Sequence, residues 1–281
     1  MGGRALARQA AAGRNVLELF FLIPYKRPMV DILPDQPRKG RGAVANPSGR
    51  YETEKRHRID DGWGDGGAQD QDLAPLRTTV TPDKSKTVIA RNSSPDIPFD
   101  RSINPYRGCE HGCIYCYARP THAWLGLSPG LDFETRLFAK RDAAALLEKE
   151  LANPRYRCRP IALGTNTDPY QPIERDFKIT RSILEVLAKF DHPVTVVTKS
   201  ALVVRDIDIL APLAAKGLAS VCVSVTTLDP ALSRRMEPRA ASPERRLKTI
   251  AALKDAAIPV GVMAAPMIPA LNDMELENIL A

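Results

Sequence analysis

The sequence predicts an α/β protein, a parallel-stranded partial (β/α)6 TIM-like barrel, on three observations. Over residues 99–281, apolar runs of strand length alternate with helical stretches of 10–15 residues, which is the pattern of β-α units around a parallel sheet. The strand-like runs return at intervals of roughly 30–35 residues, long enough for one crossover helix each. The polar and special residues gather at the C-terminal ends of those runs, the end that carries the active site in β/α barrels.

The elements follow in order. "RSINPYRG" (101–108) is the first strand, and "TRLFAK" (135–140) is an inserted or edge strand. "RDAAALLEKELAN" (141–153) is a helix and "PIALGTNT" (160–167) a strand. "ITRSILEVLAKF" (179–190) is a helix, and "PVTVVTKS" (193–200) a strand. "RDIDILAPLAAKG" (205–217) is a helix stopped by Gly217, a residue suited to the position after a C-cap. "ASVCVSVTTLD" (219–229) is a strand, and "SPERRLKTIAALKDAA" (242–257) a helix with Ser242 as N-cap and Pro243 in its first turn. "PVGVMAAPMIP" (259–269) is the fifth core strand and "NDMELENILA" (272–281) a last helix, with no sixth strand after it. The expected barrel is therefore open on one side, as in a chain truncated at its C-terminus.

Residues 1–98 read as an irregular leader, basic and rich in Gly and Pro, with one short strand at "TTVTPD" (78–83) or "KTVIA" (86–90). The leader also holds the charge. The chain's formal net charge is +7, and residues 1–58 alone carry 12 Lys and Arg against 5 Asp and Glu. The core is neutral, so the basic pI speaks of a solvated tail or a phosphate-binding arm and not of a basic fold. "NVLELFFLIPY" (15–25) is too short to cross a bilayer, which needs about 20 residues, and no small-residue cleavage site follows it. Five cysteines, odd in number and clustered, exclude a secreted disulfide framework and place the expected chain in the cytoplasm with a metal or redox site.

Three of the cysteines stand in "NPYRGCEHGCIYCYAR" (104–119), spaced C-x3-C-x2-C: Cys109, Cys113 and Cys116. Four thiolates would close a zinc or cluster site. Three on a [4Fe–4S] cubane leave one iron able to take an outside ligand. Gly108 and Gly112 supply backbone freedom for the tight wrap. A zinc site completed by His111 is the competing reading, and a solvent-facing loop position is the plain one for His111.

This spacing, at the end of a first strand in a β/α chain, resembles the radical S-adenosylmethionine (SAM) superfamily. Over about 101–278 the segments "GCEHGCIYCYAR", "TKS", "MEPRAASPERRL" and "APMIPALND" resemble its spore photoproduct lyase-like branch. The resemblance implies a [4Fe–4S] cluster on Cys109, Cys113 and Cys116 whose free iron chelates SAM. One electron from a ferredoxin- or flavodoxin-like reductant then cleaves SAM to a 5′-deoxyadenosyl radical, which abstracts hydrogen from a substrate. It implies SAM contacts at Tyr117 near the adenine, at Thr167, at Lys199 for the carboxylate, at Ser224, and at Met267 and Ile268 against the adenine. Glu237 is a candidate for the ribose or for an ion pair with Arg239 or Arg245. The lyase carries a hydrogen-donating cysteine where this chain has Thr165, whose O–H bond is too strong for that role. Cys222, on the strand face of Ser224 by period-2 alternation, is a small buried cysteine or a substitute donor, and Cys158 sits apart among arginines. The substrate stays open, with nucleic acid as a candidate. A nucleic-acid-binding module without catalysis and a degenerate, non-catalytic fold are the alternatives.

Overall fold

The computed structural model describes residues 35–55, 57 and 76–281, so the apolar run at 15–25 lies outside the described residues. Of the two compact units of the chain, the larger comprises Asp35–Arg56 and Gln69–Ala281 and carries every element that follows. Its strands are β1 (Thr79–Pro82), β2 (Ala90–Arg91), β3 (Arg101–Ile103), β4 (Tyr106–Arg107), β5 (Arg136–Ala139), β6 (Ile161–Leu163), β7 (Val194–Thr198), β8 (Ala219–Ser224) and β9 (Val260–Met263). Its α-helices are α1 (Leu131–Thr135), α2 (Ala143–Leu151), α3 (Glu174–Phe177), α4 (Ile179–Lys189), α5 (Ile207–Ala215), α6 (Pro230–Met236), α7 (Pro243–Asp255) and α8 (Leu276–Leu280).

The main sheet runs β2-β3-β6-β7-β8-β9. Every neighbour from β3 to β9 is parallel, and only β2 joins antiparallel, at the edge. These are the five core strands the sequence predicts, in chain order, as right-handed β-α-β crossovers produce. The "TRLFAK" segment is not an edge: β5 is the centre of a second, three-stranded sheet, β1-β5-β4. The first predicted strand is split between the two sheets, β3 in the main sheet and β4 in the small one.

Alternation decides which strand face meets the helices. On β8, Val221 and Val223 are fully buried in the main core with Val196, Leu184, Leu187 and Leu210, while Ser220, Cys222 and Ser224 alternate to the other face. The Thr195 and Ser220 hydroxyls meet across β7 and β8 at 3.1 Å, so this concave face is polar and lined by small residues. Gly217 follows the C-cap of α5, with φ at +72° and Leu218 N–H donating to the Leu213 carbonyl at 2.8 Å, the cap expected there. Ser242 stands at the N-cap of α7 in extended conformation, but its hydroxyl makes no capping bond. At the C-terminal end, α8 follows a short 3-10 helix (Asp273–Glu275), and no strand follows β9.

Order begins well before Phe99. Residues 41–45 lie on the cysteine loop, and β1 pairs in parallel with β5 from Thr79 to Pro82. Among the described residues, no helix is long and apolar enough to cross a membrane.

Candidate functional site

The site grows from the C-terminal end of β3. Beyond it the chain turns through β4 into Gly108, whose φ is +76°, and enters the cysteine loop. A Cβ on Gly108 would stand 2.5 Å from a Leu137 methyl and 2.8 Å from the Phe133 carbonyl oxygen, so only glycine passes here. Cys109 N–H donates to the same Phe133 carbonyl at 2.9 Å. Gly112, at φ +69°, makes the second tight turn. Gln171 braces the loop from the β6 side, accepting from Glu110 N–H at 2.9 Å and donating to the Gly108 carbonyl at 3.1 Å. Arg119 donates to the Gly112 and Cys113 carbonyls at 3.1 and 2.9 Å and pairs with buried Glu134 at 2.6 Å.

All three thiols are free. Cys109 and Cys113 are buried and Cys116 is half-buried. Burial pushes the Cys109 thiol well above its ordinary range, with Asp168 and the other two cysteines adding to it. Burial likewise pushes Cys113 up to about 12, against the pull of Lys199, and raises Cys116 against the pull of Arg119 and Lys199. Cys116 packs against the buried group that includes Cys109 and its N–H donates to the Cys113 carbonyl at 3.3 Å, so the three thiols stand on one tight loop. Among the described residues, no three His, Cys, Asp or Glu side chains surround the position of a single ion. A cubane is larger and takes each thiolate on a different iron, so three close but separate sulfurs on a glycine-hinged loop fit it.

His111 is not solvent-facing. It is 2% exposed, and its Nδ1 lies 3.3 Å from Asp168 Oδ2, within ion-pair range but off the line of a well-formed hydrogen bond. Asp168 ties three elements together. It accepts from Tyr170 N–H at 2.8 Å, the Thr198 hydroxyl at 2.7 Å and Lys199 N–H at 2.7 Å. Burial would raise its carboxyl, but His111 and these donors outweigh that and hold it below the ordinary value.

Lys199 stands one residue past the end of β7. Its Nζ is 3.7 Å from Glu237 and 5.8 Å from the centre of the Tyr115 ring. Tyr115 lies between Cys113 and Cys116, so Lys199 and the cysteine loop share one mouth of the sheet. Glu237 is buried and pairs with Arg246 and Lys199, not with Arg239 or Arg245. It also accepts from the Tyr115 hydroxyl and, at 2.7 Å, from Thr226. Burial pushes the Glu237 carboxyl up, and Arg246 with Lys199 more than reverses it, leaving it below the usual range. Arg239 pairs instead with Glu110 at 3.2 Å.

Ser224 ends β8 at the same mouth, 5% exposed, its carbonyl accepting from Arg246 at 3.0 Å. Thr165 and Thr167 do not share a strand face. β6 stops at Leu163 because Gly164 adopts φ +89°, where a Cβ would stand 2.2 Å from the Val197 carbonyl oxygen. Beyond it, Asn104 collects the loop, accepting from Asn166 and Thr167 N–H and reaching Thr165 Oγ1 at 3.4 Å. The Thr167 hydroxyl donates to the Tyr106 carbonyl at 2.8 Å and is 2% exposed. Tyr117, by contrast, is 76% exposed. Met267 and Ile268 are half-buried. Asn272 pins their segment to the end of β8, donating to the Thr226 and Pro266 carbonyls at 2.7 and 2.9 Å and accepting from Ile268 N–H. Cys222 lies one layer deeper than Ser224 on the concave face, and exposed Cys158 precedes β6 at the far end of the strands.

Asp168, Gln171, Glu134 and Asn272 are absent from the sequence-level candidates. Asp168 alone had a signal, as the acid in the polar run "TNTDPY" after a strand. Gln171 and Glu134 act through partners tens of residues away, as Asn272 does through Thr226.

Parallel strands, a loop of three free thiols at their C-terminal ends and a lysine at the same mouth define a β/α protein with a thiol-bearing site at one end of its sheet. The family model described as "Radical SAM superfamily" matches residues 103–281, and the chain belongs to that superfamily. It is 42% identical over 177 residues to an uncharacterized protein of Mycobacterium tuberculosis, a match covering 63% of this chain and 52% of the relative. It is 31% identical over 175 residues to an uncharacterized protein of Methanocaldococcus jannaschii, covering 62% of each. The chain thus spans about half the length of the curated relatives matched first. Among solved structures, spore photoproduct lyase complexed with dinucleoside spore photoproduct matches with a TM-score of 0.49 at 19% identity, over 72% of this chain and 57% of that one. SuiB of Streptococcus suis bound to S-adenosylmethionine matches with a TM-score of 0.34 at 16% identity, over 43% and 26%.

Proposed function

We propose that this chain is the core of a radical SAM enzyme of the spore photoproduct lyase-like branch, with Cys109, Cys113 and Cys116 holding a [4Fe–4S] cluster. The observation that carries the reading is the shared mouth. Three free thiols and Lys199 stand together there, while Cys222 and Cys158 stand apart. When bound, the cluster supplies the electron that cleaves SAM to methionine and a 5′-deoxyadenosyl radical.

The chain's own residues bind and orient. Lys199 offers its ammonium to the SAM carboxylate, moving from a 3.7 Å contact with Glu237 that is long enough to give up. Ser224 presents a hydroxyl at the strand end. Thr167, its proton committed to the Tyr106 carbonyl, offers only lone pairs. Met267 and Ile268 give an apolar wall, and Tyr117 closes over the adenine from its exposed position. Thr165 cannot serve as a thiol hydrogen donor, so the chemistry downstream of the radical differs from thymine-dimer reversal by that route. The substrate is a hydrogen-donating molecule of unknown class, nucleic acid being the candidate that the resemblance brings. The basic residues 1–58 add a second reason for that candidate.

Anaerobic reconstitution with iron and sulfide tests the reading. A brown protein absorbing near about 400 nm, yielding 5′-deoxyadenosine with reductant and SAM, is expected. Cys109→Ala, Cys113→Ala and Cys116→Ala each lose the iron, while Cys158→Ala and Cys222→Ala retain it. Iron loss in either of the last two would defeat the three-ligand assignment.

A further inference from the structure

Behind the cysteine loop lies a cavity of about 290 Å³ whose wall carries four arginines, Arg175, Arg205, Arg239 and Arg245, and no carboxylate side chain. They come from four places in the fold: α3, the 3-10 helix after β7 (Ala201–Asp206), the segment joining α6 to α7, and the first turn of α7. His111 forms part of the wall. It is two residues from both Cys109 and Cys113, and its carbonyl accepts from Arg239 N–H at 3.2 Å. The recess therefore reaches the cysteine loop itself, on a different flank from the one where Tyr115 meets Lys199 and Glu237.

The four guanidinium groups are of two kinds. Arg205 is held by Glu174 at 2.8 Å and Asp206 at 2.7 Å, and Arg239 by Glu110 at 3.2 Å. Those carboxylates are buried behind the arginines, so they fix the guanidinium planes without presenting negative charge to the cavity. Arg175 and Arg245 are exposed and have no carboxylate partner among the described residues. Two uncompensated cations thus flank two rigidly placed ones.

We propose that this recess docks an acidic one-electron carrier protein, of ferredoxin or flavodoxin type, which feeds the cluster through the Glu110–His111 flank of the loop. The proposal rests on the cluster reading above. In the step, the reduced carrier is oxidised by one electron and the cluster gains it, with no atom transferred. Two observations select this occupant. Lys199, with Glu237 and Tyr115, lies outside the lining of this recess, so if Lys199 takes SAM as proposed above, the recess is a separate approach to the loop. The arginines also ring one half-open recess and not a track along the surface, which suits an acidic knob better than a nucleic-acid strand running past.

The test uses the reconstituted chain and a purified acidic ferredoxin. Reduction of the cluster by the pre-reduced ferredoxin is followed by stopped-flow absorbance, and binding of the labelled ferredoxin by fluorescence anisotropy, both from low to high salt. The Arg175→Glu/Arg245→Glu variant changes only exposed side chains. It should slow ferredoxin-driven reduction and weaken binding by about tenfold or more at low salt, the gap closing as salt rises, with iron content and reduction by dithionite unchanged. Wild-type ferredoxin rates and affinity in the variant overturn the docking site. So does a variant that loses affinity for a single-stranded oligonucleotide but not for ferredoxin. Absence of iron in the wild-type chain would sink the cluster reading instead, and the anisotropy comparison, which needs no cluster, would still decide the docking face.

Discussion

Lys199 and Arg246 both approach Glu237, yet the two cations do different things. Arg246 is 1% exposed, donates to Glu237, and also holds the Ser224 and Ala241 carbonyls at 3.0 and 2.8 Å. Removing it leaves a buried carboxylate short of its main partner, a change that costs about 3–5 kcal/mol. Arg246→Ala should therefore lower stability by that order in urea unfolding. Lys199 contributes only a 3.7 Å contact, and after Lys199→Ala the Glu237 carboxylate still has Arg246, Tyr115 and Thr226. Its loss should cost about 1 kcal/mol or less, as for a partly exposed pair. If Lys199 takes the SAM carboxylate, the same variant should weaken SAM binding about 10- to 150-fold, the worth of one charge-assisted bond, with the cluster spectrum intact. Calorimetric SAM titration reads this directly. Unchanged affinity would remove Lys199 from the site, and a large drop in stability would make it a structural residue.

The element most at odds with the sequence reading is the stretch at residues 41–45. It has no hydrophobic period, and Arg41 and Gly42 continue the basic, glycine-bearing run of the leader. In the fold it clasps the cysteine loop. Buried Glu134 accepts from Gly42 and Ala43 N–H at 3.0 and 2.8 Å, Arg41 donates to the Glu134 carbonyl at 2.8 Å, and Leu131 N–H reaches the Ala45 carbonyl at 3.0 Å. Its partners lie about 90 residues on, so nothing local marks it. The β-α units were legible because each helix and strand carries its own apolar face in its own period. The thiol loop was legible because its three ligands are local. Gly42 gives the sharpest test. A Cβ there would fall 1.8 Å from the Gly112 carbonyl oxygen, so Gly42→Ala must push the clasp off the loop. A cost of about 1–3 kcal/mol is expected for such overpacking, or several degrees in Tm at roughly 2–4 °C per kcal/mol for a chain of this size. Less iron should be retained after reconstitution. Gly40→Ala, in open space at φ +70°, is the control for backbone strain alone. Equal Tm and iron content in the two variants would mean the clasp does not position the loop.

At the scale of the whole molecule, pH reaches stability through buried groups spread from the far end of the strands to the cysteine loop. His122 and His192 are both buried, and burial lowers both pKa values, with hydrogen bonds to the Arg136 and Pro193 carbonyls only partly offsetting it. His192 also meets the Tyr156 hydroxyl at 2.8 Å, and the His122 ring packs edge-on against Phe133 under the cysteine loop. Both rings are therefore neutral in the fold at pH 7. The unfolded chain takes up their protons near an ordinary histidine pKa of about 6.5. Because the unfolded state then binds more protons, stability present above about pH 6.5 is lost as the pH falls below it. Asp168 and Glu237 act lower on the scale. Their carboxyls are held below the ordinary range in the fold, so their contribution is present above about pH 4 and is lost as the pH falls through their lowered folded values. Thermal unfolding should show a Tm flat between pH 8 and 7, falling from about pH 6.5 downward and falling again below about pH 4. His192→Gln keeps a polar partner for Tyr156 but cannot take the proton, so it should flatten the first fall in part and leave the second unchanged. A Tm that holds level from pH 7 to pH 5 in the wild-type chain would show that both histidines titrate alike folded and unfolded, contrary to their burial.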